Sequence, residues 1–148
     1  MKKFSIVFAL LISTVVSQAQ TGKDEALSAL GALAGADIYN TYSVIGSVWD
    51  NFMSKSYDDE FALTIANEQA QMITNISASL TTLKNSGFLT NPSDMDYVTE
   101  IIQCMDMLNQ QAIAMKSYVN DPSSANADAF QSARNKSWAM ISKLLGLE

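Results

Sequence analysis

From residue 37 onward, apolar side chains recur at steps of three and four, the spacing that lines up one face of an α-helix. Residues 37–56 place Ile38, Tyr42, Ile45, Trp49 and Phe52 on such a face, and Asp37 is suited to cap its start. Residues 59–85 continue the habit with Ala62, Ile65, Met72, Ile76, Leu80 and Leu83. Asp58, Asp59 and Glu60 match the electropositive first turn of that helix, and Gly87 supplies its stop. A third helix is predicted over 94–119, with Ser93 as N-cap and a stripe of Val98, Ile101, Met105, Leu108, Ala112, Met115 and Val119. The fourth, 126–145, carries Phe130, Ser137, Trp138, Ile141, Leu144 and Leu145 on its apolar side and ends at Gly146.

No stretch alternates apolar and polar residues long enough to argue for a strand. Pro92 and Pro122, each among Asn, Ser, Asp or Thr, mark two loops, and short connections return sequential helices on one another. The predicted fold is therefore all-α, an antiparallel (up-down-up-down) four-helix bundle over residues 37–148. Tyr57-Asp58 contains neither Gly nor Pro, so the pattern equally allows the first two helices to be one.

Two segments precede the bundle. Residues 1–19 have the parts of an export signal: Lys2 and Lys3, an apolar run from Phe4 to Val16, and Ser17-Gln18-Ala19 before a cleavage point at Ala19-Gln20. That apolar run is too short to remain as a membrane span, so the mature chain is expected to have no stable transmembrane span. Residues 20–36 form an apolar N-terminal segment in which Ala26 to Ala36, ALSALGALAGA, carries no charge on any face. It is predicted as an additional short apolar helix. It either packs on its own bundle or docks onto a partner, with Leu27, Leu30 and Leu33 supplying buried area and Gly31 and Gly35 permitting close approach.

Charge narrows the partners. Loss of Lys2 and Lys3 leaves seven basic against fifteen acidic residues, a net charge of −8. Nucleic acid and anionic membrane surfaces reward clustered Lys and Arg, so neither is expected. Cys104 is the only cysteine, which excludes an internal disulfide, and its neighbours Ile101, Ile102, Met105 and Leu108 mark it as a buried apolar residue.

The chain has no histidine, which removes the commonest general base and metal ligand and the usual triads. A di-metal carboxylate bundle needs Glu-x-x-His pairs; here Glu68, Glu100 and Asp106 are the interior candidates, and none has such a partner. Asp58-Asp59-Glu60 and Asp94-Met95-Asp96 lack the spacing and glycine of a calcium loop. Cys104, Met105 and Met107 do not converge, since residues two apart on a helix point away from each other. Asn75 and Asn135 head glycosylation-type triplets inside predicted helices, where the modification is not expected. No cofactor, metal site or catalytic group is predicted. The expectation is a non-catalytic secreted or periplasmic helical protein acting by protein–protein interaction, with another envelope protein or a second copy of itself. The alternative is a bundle that binds or senses a small apolar ligand in a Met- and aromatic-rich interior.

Overall fold

The computed structural model describes the backbone of residues 2–147 and the side chains of residues 22–147. The expected export signal and its cleavage point lie outside the described side chains. The chain is all-helical, with α1 Lys2–Met53, α2 Asp59–Asn85, α3 Pro92–Asn120 and α4 Ser124–Leu145, and the described residues contain no strand. It divides into two compact units, Met1–Ala34 and Gly35–Glu148. The packed helices belong to the second.

Asp37 does not start a helix. It lies inside α1, so the segments 26–36 and 37–53 share one continuous element. The reason is local: ALSALGALAGA is dominated by Ala and Leu, the best helix formers, and contains nothing that stops propagation. Held partly buried instead of at a cap, Asp37 has its carboxyl pKa pushed up by desolvation.

The question left open at Tyr57-Asp58 is answered by a turn at Lys55. The Lys55 backbone is left-handed, with φ 61°. The Lys55 amide donates to the Phe52 carbonyl at 2.9 Å, and the Ser56 amide to the Asn51 carbonyl at 2.9 Å. This pair of bonds is the helix-ending turn usually built on glycine. Asp58 then caps α2 by accepting from the Phe61 amide at 2.8 Å, with Asp59 and Glu60 in the first turn and Lys84 in the last.

At α3 the cap is Asn91, not Ser93. Asn91 accepts from the Ser93 amide at 3.1 Å and Pro92 occupies the first helical position, where its missing N–H costs nothing. Ser123 caps α4, which begins at Ser124, two residues before the predicted start. Gly146, with φ 64°, closes that helix by the same turn as Lys55, its Leu147 amide donating to the Ser142 carbonyl at 2.8 Å.

Helix α3 is the best-buried element. Every residue of its predicted stripe is buried, and Cys104 and Gln111 widen the buried arc because α3 packs on α2 along one side and α4 along the other. On α2 the inward line is Ala62, Ala66, Ile73 and Leu80, while Met72 is exposed and Ile65, Ile76 and Leu83 lie at the margin. Ala62 and Ala66 are short, and both are nonetheless buried almost completely.

Helices α1 and α4 meet through rings. Trp49 stacks on Phe130 with centroids 3.8 Å apart and planes 11° from parallel; Tyr42 and Tyr39 flank Trp138 at 5.4 and 6.4 Å. Tyr118 of α3 joins the cluster, 4.9 Å from Trp49 and 6.2 Å from Phe52. Between the ring pairs, Arg134 lies against Gly46, where an added Cβ would come within 3.2 Å of its Nη2. The guanidinium reaches one turn on to Asp50 with two bonds of 2.9 and 3.1 Å. That hydrogen bond to Asp50 raises the Arg134 pKa further.

The core also contains polar groups. Gln111 is fully buried, and neither end of its amide has a hydrogen-bond partner among the described residues; the hydroxyls of Thr41 and Ser137 are buried in the same condition. An unsatisfied buried polar group costs about 1–3 kcal/mol. Gln111→Met, which keeps the volume, is expected to raise stability by about 1–3 kcal/mol in urea unfolding. A loss of stability would mean that the amide is satisfied in solution. Phe130→Ala, by contrast, is expected to cost about 3–5 kcal/mol, since it removes a fully buried ring and its stacking partner's support. A change under about 1 kcal/mol would show that the stack does not hold α1 to α4.

Candidate functional site

The uncharged stretch of α1 is largely on the surface. Leu33 is 71 % exposed, Ala26, Ser28, Ala29, Ala32 and Ala36 are exposed, and Leu27, Leu30 and Gly31 are partly covered. Gly35 behaves differently. It is buried, and a Cβ placed on it would come within 2.9 Å of Leu145 Cδ2, so its lack of a side chain serves the contact between α1 and α4.

A second feature, not anticipated from sequence, lies where the α1–α2 turn comes beside the end of α3. A cleft of about 600 Å³ is lined by Phe52, Met53, Lys55, Ser56, Tyr57, Asp58, Asp59, Tyr118 and Pro122. Its walls are fixed by the elements below them: Phe52 and Tyr118 meet edge to face at 85°, and Tyr57 rests on Phe61 with centroids 4.5 Å apart. Met53, Tyr57 and Phe61 are 46, 37 and 44 % exposed, an apolar cluster around the opening. One Asp58 oxygen is engaged by the Phe61 amide, whereas the Asp59 carboxylate and the Lys55 ammonium make no hydrogen bond or ion pair among the described residues.

The residues weighed for chemistry are dispersed. Glu68, Glu100 and Asp106 are all exposed, not interior, because each lies off the buried line of its helix. No group of three or more His, Cys, Asp or Glu that could hold a metal ion occurs among the described residues. Cys104 and Met105 are buried and Met107 is at the margin. Asn75 and Asn135 sit on exposed turns of α2 and α4, accepting from Gln71 at 3.1 Å and Gln131 at 2.9 Å. The hollow beside Cys104, bounded by Glu100, Gln103, Met140, Lys143 and Leu144, measures about 100 Å³. Ligand pockets usually hold about 300–1,000 Å³, so a drug-sized molecule does not fit there.

Among the described residues no helix is long and apolar enough to cross a membrane. Compared with protein-family models, curated proteins and solved structures, the chain matches none of them.

Burial, with Glu100 adding its negative charge, pushes the Cys104 thiol up to about 11. The folded protein therefore disfavours the thiolate. Stability from this group is complete below its ordinary pKa of 9.0 and is lost as pH rises toward about 11. Native Cys104 is expected to resist alkylation at pH 8 and to react once the chain is unfolded in denaturant. Rapid labelling of the native protein would place the thiol at the surface.

Proposed function

We propose that this is a non-catalytic, exported helical protein, periplasmic or secreted after cleavage near Ala19-Gln20, that acts by protein–protein interaction. The observation that carries the reading is the exposure of Leu33, at 71 %, within a run that has no charge from Ala26 to Ala36. Exposed apolar surface on one uncharged helix favours an interface over a solvated face. The partner is a second copy of the chain. A mature charge of −8 repels another copy across most of the surface, and this run is where two copies approach with no like charges facing.

The bundle that carries this helix is antiparallel, up-down-up-down. Contacts that climb α1 descend α4, from Gly35 with Leu145 through Tyr42 with Trp138 to Trp49 with Phe130, and short connections join the remaining pairs. The absence of histidine supports a non-catalytic role.

Sedimentation velocity on the chain beginning at Gln20 tests the reading. Wild type is expected to self-associate with concentration between roughly 1 and 100 μM, and Leu33→Asp to sediment as a monomer. Because Leu33 is exposed, the same variant should unfold within about 0.5 kcal/mol of wild type. A wild-type monomer at about 100 μM, or a Leu33→Asp variant that associates unchanged, would remove the interface.

A further inference from the structure

We propose that the cleft at the α1–α2 turn binds a small organic cation with an apolar body, an aralkyl ammonium in chemical class. The volume of about 600 Å³ lies within the range of small-molecule sites, unlike that of the hollow at Cys104, and exposed Met53, Tyr57 and Phe61 surround the opening. Phe52, Tyr57 and Tyr118 give it three aromatic walls. Each ring is held by another, Tyr118 by Trp49 and Phe52 and Tyr57 by Phe61, so the walls need no rearrangement to receive a ligand.

The sign of the ligand follows from the charges. Two carboxylates and one ammonium line the cleft. Among the described residues Asp59 has no partner and Asp58 commits only one oxygen to the α2 cap. The first turn of α2 offsets part of their charge, but the carboxylates still outnumber the ammonium, and they favour a cation as the aromatic walls do. Aromatic rings attract a cation through their quadrupole and repel an anion at the face. Lys55 opposes the cation, yet it forms no ion pair with Asp58 or Asp59 and so does not itself fill the site.

The test uses three probes with one body and three charges: phenethylamine, 2-phenylethanol and 3-phenylpropionate. Titration of the chain beginning at Gln20, followed by amide and indole chemical shifts, locates and measures binding. Phenethylamine is expected to shift residues 52–59 and Tyr118 and to bind about tenfold tighter than 2-phenylethanol, with 3-phenylpropionate weakest. Asp59→Asn should narrow the gap between cation and alcohol. Lys55→Gly should widen it, and the left-handed backbone at φ 61° accepts glycine without strain. Tyr118→Leu should weaken both cation and alcohol; should that variant fail to fold, the two charge variants decide alone. Equal affinity for amine and alcohol, a gap unmoved by both charge variants, or amine shifts that map outside the cleft would overturn the proposal.

Discussion

Trp49 and Phe130 lie face to face at 3.8 Å, and much of the second compact unit depends on that stack. With a single cysteine the chain has no covalent brace, so its helices stay together by packing. The stack joins α1 to α4, and Tyr118 brings α3 to the same point. Tyr118 in turn meets Phe52, which forms a wall of the cleft. One aromatic cluster thus settles both the position of α1 on the bundle and the rigidity of the site beyond it. One turn further along α4, the bidentate grip of Arg134 on Asp50 fixes the same seam in register. An ion pair this exposed adds at most about 1 kcal/mol, so its geometry contributes orientation more than strength.

Against this apolar economy stand Thr41, Gln111 and Ser137, buried on three different helices. Each weakens the core, because none has a hydrogen-bond partner among the described residues. A helix rotated or slid along its neighbour would move these groups relative to the small residues Ala62, Ala66 and Ala112 and to the rings. Polar groups inside a bundle set register in some helical assemblies by bonding to one another, whereas the buried amide of Gln111 has no partner among the described residues.

The elements were legible where a stripe was long and uniform. Along α3 every residue from Val98 to Val119 named as apolar is inside, because seven points on one line leave little freedom in phase. On α2 the line drifted. Ala is apolar but small, so its weight in a periodicity is low, and Ala66 with Ile73 displaced Ile65 and Met72 from the interior. Thr41 and Gln111 were missed because a polar residue on a stripe reads as a gap, although Gln111 sits three past Leu108 and four before Met115. The cap at Asn91 was legible in principle, since proline directly after it favours the first helical position. The Lys55 turn was not, because nothing in a lysine announces a left-handed backbone. The cleft followed from that turn and was hidden with it. The exposure of Leu33 could not be read from a pattern that lacks any polar face to orient it.

The Lys55 turn has a dynamic consequence. Holding a side-chain-bearing residue in the left-handed region costs roughly 1–2 kcal/mol, a strain that Gly146 avoids at the end of α4. Residues 54–58 are exposed throughout, so local opening there releases that strain without uncovering the core. The rings below it, Phe52 against Tyr118 and Tyr118 against Trp49, do not depend on that backbone, so relaxing the turn leaves those walls of the cleft in place.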